Sequence, residues 1–303
     1  MITLTTLSDI NFLPQGLSLY QSLEKHTKDF KLYYLCLDNE IYEFFRDEIQ
    51  NGQYKNIIPV DIRVLHVDQD YLQLLKKPLS FEAMNVGNKK NIDPKRMEMM
   101  WCLASFFSYY VLETYNPDSV IYVDSDVYFY SDVQNIVDKI ENKSIGIVKN
   151  NASDENNGKY NVSFTYFKND RIGNSCLYTW RNWLLNPNNE YVKEYGQCGD
   201  QKYLNLFPEL FGEHNICILD DAGIIQKAPW SFRTVKGNPD FFHFSDFRAD
   251  YEKDFFVPAQ RHGITGIFSL DIENRERYTE YYFVCKENWK KIKKIKKIEE
   301  HWE

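Results

Sequence analysis

No apolar run in this 303-residue chain approaches the ~20 residues that a membrane-spanning helix requires. Six cysteines (Cys36, Cys102, Cys176, Cys198, Cys217 and Cys285) are scattered without a C-x-x-C pair, which argues for reduced thiols rather than a zinc site or a disulfide frame. Positive charge is not in excess: 36 Lys and Arg face 44 Asp and Glu, giving a net −8, the wrong sign for a protein that reads nucleic-acid phosphates. No Pro- or Gly-rich linker or internal repeat divides the chain. Met1-Ile2-Thr3-Leu4 enters a strand pattern without a charged leader segment, so the expected location is cytoplasmic. What remains is an ordinary globular composition, 43% hydrophobic and 26% charged, with 22 Tyr and 21 Phe to fill a large core.

The element pattern predicts an α/β protein. Ile2 to Leu7 forms a strand, Pro14 to His26 a helix with Leu17, Tyr20 and Leu23 on one face, Lys31 to Asp38 a strand, Glu40 to Gln50 a helix and Ile57 to Val64 a third strand. This βαβαβ rhythm implies a parallel sheet covered by helices on both faces, with ligands at the carboxyl ends of the strands, where Asp9, Asp38 and Asp124 fall. Residues 66–92 are polar and predict a loop or small insertion. Asp93-Pro94 opens a long helix through Arg96, Met100, Leu103, Phe107 and Val111. Downstream, helices are expected at 132–140, 170–185 and 199–207, with strands at 144–149 and 160–167 and near 215–219 and 240–244. The last fifty residues are expected to be mostly helical.

The most informative stretch is Ile121-Tyr122-Val123-Asp124-Ser125-Asp126-Val127-Tyr128-Phe129. Asn116-Pro117-Asp118 punctuates the start of a buried strand, and two carboxylates one residue apart close it. Acids at a buried strand end are costly unless something positive meets them. Side chains at i and i+2 of a strand share a side, and a slight turn at Ser125 would aim both carboxylates at one hard divalent cation. The alternative is a strand end with solvated aspartates.

Four further clusters follow: Tyr160-Asn161-Val162-Ser163-Phe164; Gly199-Asp200-Gln201 at a helix start; Ala228-Pro229-Trp230; and Phe242-His243-Phe244-Ser245-Asp246-Phe247-Arg248. In this order they resemble, over residues 1–250, the GT-A-fold glycosyltransferases that use nucleotide-sugar donors. The retaining galactosyl- and glucosyltransferases of bacterial surface polysaccharide synthesis are the nearest in character. The resemblance implies a Rossmann-like, mixed but mostly parallel sheet flanked by helices, with a helical C-terminal extension over 251–303. It implies Asp124, Asp126 and His243 as ligands of Mn2+ (or Mg2+) bridging the diphosphate of a UDP-sugar. Thr6, Asp9, Arg96, Ser125, Asn161 and Arg248 join Asp124 on the donor, and Asp200 and Gln201 lie beneath the transferred hexose. Two positions depart from the pattern. Ser163 stands where glycine is frequent, and Arg248 replaces a lysine about one residue early, which puts its diphosphate contact in doubt.

The residue types suit that chemistry independently. A dication held by carboxylates and imidazole neutralises the charge growing on a nucleoside diphosphate, while an uncharged amide such as Gln201 can sit under an oxocarbenium-like carbon. Inversion would instead need a carboxylate base, for which Asp200 or Asp246 could serve. One rival is a haloacid-dehalogenase-like phosphatase, since Asp124-Ser125-Asp126-Val127 fits its D-x-D-x-[TV] motif and Asp220-Asp221 could be the later acidic pair. Its nucleophile, however, normally follows the first strand. A non-catalytic sugar-binding scaffold on the same fold is a third reading. Singly, each residue has a plainer role: His243 as a satisfied strand-end histidine, Arg96 in a salt bridge, Asn161 in a turn, Asp200 as an N-cap and Trp230 in packing.

The acceptor implied is a glycan or glycolipid. Residues 286–303 carry net +3 and leave −11 on the rest of the chain. From Trp289 to Trp302, apolar residues recur every three or four positions among lysines, the pattern of a basic amphipathic helix. Such a helix either lies on the inner face of a membrane or docks on its own domain with solvated lysines.

Overall fold

The computed structural model describes residues 1–77, 93–152, 157–186, 190, 192 and 199–293. Its frame is a seven-stranded sheet in the order β3-β2-β1-β4-β7-β6-β8. These strands are β1 (Ile2–Ser8), β2 (Phe30–Cys36), β3 (Ile57–Asp61), β4 (Ser119–Val123), β6 (Ile145–Lys149), β7 (Tyr160–Lys168) and β8 (Ile216–Ile218). β1 pairs in parallel with β2 and β4, and β2 with β3. β7 runs antiparallel to both neighbours, so the sheet is mixed.

The two-residue strand period sorts the core. Leu32, Tyr34, Ile121 and Val123 enter one apolar cluster, while Tyr33, Leu35, Val120 and Tyr122 enter the other. Helices α1 (Leu13–His26), α2 (Asn39–Gln50) and α5 (Val133–Ile140) cover the first face, and α4 (Pro94–Tyr115) and α6 (Arg171–Leu185) the second. Polar residues cap α4 and α6. Asp93 accepts from Lys95 N ahead of Pro94, Asp170 accepts from Ile172 N and Gly173 N, and α4 ends at Asn116 in the left-handed region.

Several elements differ from expectation. The third strand stops at Asp61, whose side chain accepts from Arg63 N and starts a 3-10 turn over Ile62–Val67. Within the expected loop lies helix α3 (Gln69–Lys76), capped by Asp68; the remainder of that segment, 78–92, falls outside the described residues. The helix expected at 199–207 is a 3-10 turn over Gln201–Leu206 followed by the short α7 (Phe207–Phe211).

A small sheet, β5 (Val127–Phe129), β10 (Phe241–His243) and β9 (Gln226–Lys227), abuts the main one. Beyond it come the hairpin β11 (Arg248–Asp250)–β12 (Phe255–Val257), two 3-10 turns and α8 (Ile272–Ile292), so the last fifty residues are helical mainly in their second half. α8 docks on α1 through Cys285 Sγ near Ser18 Oγ (3.2 Å) and Asn288 bonded to Gln21 and Ser18. It also closes an aromatic cluster in which Tyr281 stacks on Phe244 at 3.8 Å. Its buried positions, Tyr278, Tyr281, Cys285, Asn288 and Ile292 among them, turn toward the protein. As far as Ile292, therefore, the basic amphipathic pattern serves docking; the rest of the tail, 294–303, lies outside the described residues. No helix among the described residues is long and apolar enough to cross a membrane.

Candidate metal-binding active site

β4 carries its chain to the carboxyl edge of the sheet, where Val127 N bonds to Asp124 O (3.1 Å) and closes the Asp124-Ser125-Asp126 turn. β5 then pairs antiparallel with β10, His243 opposite Val127, and Phe244 N donates to Asp126 O at 2.9 Å. That register puts His243 Nε2 3.2 Å from Asp126 Oδ1 and 3.6 Å from Asp124 Oδ2. One ligand atom from each of the three lies within 4.8 Å of the others. Trp230 sets its ring edge-on to His243 at 5.6 Å, and His243 Nδ1 is buried without a hydrogen-bond partner among the described residues.

Burial pushes the Asp124 carboxyl up to about 6, with His243 opposing the rise, Asp126 adding to it and the Tyr122 phenol opposing it. Burial also works against protonating His243, but Asp126 and then Asp124 outweigh it and raise the imidazole above its ordinary value. Two acids thus converge with no lysine or arginine in the cluster. Hard oxygen donors plus one imidazole form a set that manganese or magnesium fits and that a softer, thiolate-seeking metal would not select.

A second group of polar residues is built by an irregularity in β7. Thr165 pairs with Ile147 but Asn161 with Val148, so residues 162–164 bulge out of the β6 ladder. The bulge lets Ser163 O accept from Asp124 N (3.2 Å) and Ser163 N donate to Asn161 Oδ1 (2.9 Å). Asn161 Nδ2 then donates to Gln201 Oε1 at 2.8 Å, while Gln201 Nε2 donates to Asn157 O at 2.7 Å. Ser163 itself is fully buried. Asp200 is buried beside Gln201 and held through its carbonyl, which accepts from Trp180 Nε1 at 3.0 Å; its side chain does not cap the turn that follows. Gly199 makes the approach possible: its φ is +58°, and a Cβ there would meet the Trp101 ring at 2.9 Å. Tyr122 joins the two sides, its phenol donating to Asp124 Oδ1 at 2.8 Å. Burial, Asp124 and Asp200, in that order, hold that phenol well above its usual range, so Asp200 lies within electrostatic reach.

The third group sits at the ends of β1 and β2. Arg96 reaches from α4 to Asp9 Oδ2 and Asp38 Oδ1, both at 3.1 Å. Asp9 also accepts from Asn11 N and Phe12 N, and Asp38 from Ile10 N at 2.7 Å. Thr6 is fully buried in β1, its hydroxyl without a partner among the described residues. Arg248 bonds Asp246 Oδ1 at 3.3 Å, and the same carboxylate takes Arg261 Nε at 2.9 Å and Arg261 N at 2.7 Å. The acids required by the phosphatase reading are engaged elsewhere: Asp220 accepts from Lys149 N and Asn151 Nδ2, and Asp221 pairs with Lys149.

Sequence reasoning did not single out Tyr122, Asp38 as the partner of Arg96, Trp230 against the imidazole, or Arg261. Only Tyr122 had a local signal, being two residues before Asp124 on a strand and hence on its side.

No known family profile matches the chain. The protein YfnF of Bacillus subtilis (strain 168) is 27% identical over 263 residues, 78% of each chain, and YfnD of the same organism 24% identical over 255 residues, 77% of this chain and 74% of its own; both are uncharacterized. Among solved structures, the galactosyltransferase LgtC aligns with a TM-score of 0.57 at 13% identity, over 96% of this chain and 100% of its own. Mouse xyloside xylosyltransferase 1 gives 0.55 at 12% identity, covering 80% and 97%. GlyE of Streptococcus pneumoniae TIGR4 gives 0.53 at 15% identity, covering 99% of this chain and 66% of its own. The chain has the GT-A glycosyltransferase fold, with its acidic pair and histidine gathered at the carboxyl edge of the sheet.

Proposed function

We propose that this protein is a metal-dependent glycosyltransferase that moves a hexose from a UDP-sugar to a glycan or glycolipid acceptor with retention of configuration. The observation that carries the reading is the convergence of Asp124, Asp126 and His243 with no lysine or arginine paired to the two acids among the described residues. These three would hold Mn2+ or Mg2+, which supplies Lewis-acid neutralisation of the departing diphosphate. Asp9 and Arg96, fixed at the ends of β1 and α4, would face the nucleoside, with Thr6 in the strand behind them. Ser125 forms the backbone of the turn that receives the donor. Asn161 holds the Gln201 amide in one orientation, and Asp200 beside it offers negative charge to a carbon becoming cationic. Of the two candidate bases for inversion, Asp200 is assigned to charge support beside Gln201, and Asp246 is poorly suited to take a proton, which favours retention. Burial raises its pKa, but the Arg261 backbone N–H and guanidinium, with Arg248, hold it below the usual carboxylate range.

The test is a panel of nucleotide sugars assayed with Mn2+ for thermal stabilisation and release of nucleoside diphosphate. Asp124→Asn is expected to remove metal-dependent donor binding and turnover while leaving the melting transition of the free protein in place. Unchanged turnover in that variant would refute the site, and hydrolysis of a generic aryl phosphate would favour the phosphatase.

A further inference from the structure

The C-terminal segment, which the sequence pattern sets apart from the transferase region, reaches back to the metal triad. Ala259 pairs with Ile264 in a tight hairpin whose 3-10 turn, Gln260–His262, ends at Gly263 in the left-handed region. From this turn the His262 ring lies 5.1 Å from Trp230, which also meets the ring of His243 at 5.6 Å. Arg261 enters beside them. Its backbone N–H and Nε both bond to Asp246, a carboxylate only 2% exposed on a residue at φ +63°. An arginine has five N–H donors, and this clamp uses only Nε–H of the guanidinium. Among the described residues the two terminal amino groups have no hydrogen-bond partner, on a side chain that is 48% exposed. Arg261 is close enough to oppose protonation of His243.

We propose that Arg261 is a binding residue for the diphosphate of the nucleotide donor, aimed by Asp246, so that the segment after residue 250 completes the site. The inference rests on the transferase reading above. Arg261 takes the position that the resemblance gave to Arg248, whose own guanidinium reaches the same carboxylate at 3.3 Å. A planar fork held at one nitrogen is pre-organised for bidentate contact with phosphate oxygens, which a freely rotating lysine would not be. Two arginines on one aspartate leave one positive charge over, beside a cluster whose own acids await a cation. A dianionic or trianionic group is the ligand chemistry that satisfies both.

The experiment is calorimetric titration of the full chain with UDP at saturating Mn2+, with Mn2+ alone and uridine as separate titrants. Arg261→Gln is expected to weaken UDP binding at least tenfold and to leave Mn2+ and uridine binding within twofold. Because that change leaves Asp246 with less compensation, the double variant Asp246→Asn/Arg261→Gln is measured beside it; it removes the buried charge and should show the same loss. A folded double variant that binds UDP within twofold of wild type overturns the proposal, as does a loss confined to Arg248→Gln. Wild-type protein that binds no nucleoside diphosphate at all would overturn the transferase reading too, so the two failures are distinguishable.

Discussion

Two pairs of carboxylates lie at the carboxyl edge of the same sheet, and they are treated in opposite ways. Asp9 and Asp38 share the guanidinium of Arg96, each at 3.1 Å, and both accept backbone N–H groups. Asp124 and Asp126 meet the His243 imidazole, with the Tyr122 phenol on Asp124, and no lysine or arginine pairs with them among the described residues; Asp124 is pushed up to about 6 by its burial, with Asp126 adding to the rise. The first pair has a permanent guanidinium as its partner, whereas the second has only an imidazole, whose charge depends on protonation. A carboxylate pair tied to a permanent guanidinium holds loops in place, whereas one met by an imidazole keeps the donor set that a dication would take.

The contrast can be broken most strongly with metal. At a Mn2+ concentration a hundred times its dissociation constant, the wild type should gain about 2.7 kcal/mol, a shift of several degrees in melting temperature. Asp126→Asn should lose that shift and Arg96→Gln should keep it. Equal shifts in all three proteins would erase the distinction between the clusters. Next in size is Tyr122→Phe. The phenol fixes Asp124 by one 2.8 Å bond, so its loss is expected to weaken Mn2+ about 10- to 100-fold, the usual effect of removing a group that orients a ligand. Fluorescence-detected metal titration gives that number without turnover, and an unchanged affinity would show Tyr122 to be only packing.

Smaller effects belong to the self-paired side. Arg96→Gln should cost about 1 kcal/mol in urea unfolding, below the value for a fully buried pair because the guanidinium is 43% exposed. A loss above about 3 kcal/mol would mean that the cluster is structural in a stronger sense than its exposure suggests. The smallest effect is in pH dependence. Asp246, its pKa lowered by Arg261 and Arg248 against the effect of burial, contributes stability that is present above its unfolded value near 4 and lost as pH falls through its lower folded value. The stability gap between wild type and Asp246→Asn should therefore be constant from pH 7 to about 5 and shrink below about 4. A gap that widens in acid would reverse the assignment.

Much of this was legible in advance because it is local. Asp93-Pro94 starts α4, runs of β-branched, aromatic and other apolar residues mark β1, β2 and β4, and two acids after a buried strand mark Asp124 and Asp126. The misses have local causes too. Asp61 is a cap inside an apolar run, so the pattern carries β3 too far, and Asp68 caps α3 in a polar stretch whose composition suggests a loop. Other features had no local sign. The reversed direction of β7 and the bulge that turns Asn161 toward Gln201 depend on which strands lie alongside. Arg261 looks like any exposed arginine until Asp246, fifteen residues earlier, is placed against it.

The sequence by itself determined the α/β elements, the two-faced core and the pair of acids, since each is set by spacing within a few residues. Only the tertiary structure decided that His243 would complete that pair and that Arg96 would serve a different one. Both outcomes depend on strand register and helix placement across more than fifty residues, where the controlling contacts are between side chains that no local pattern connects.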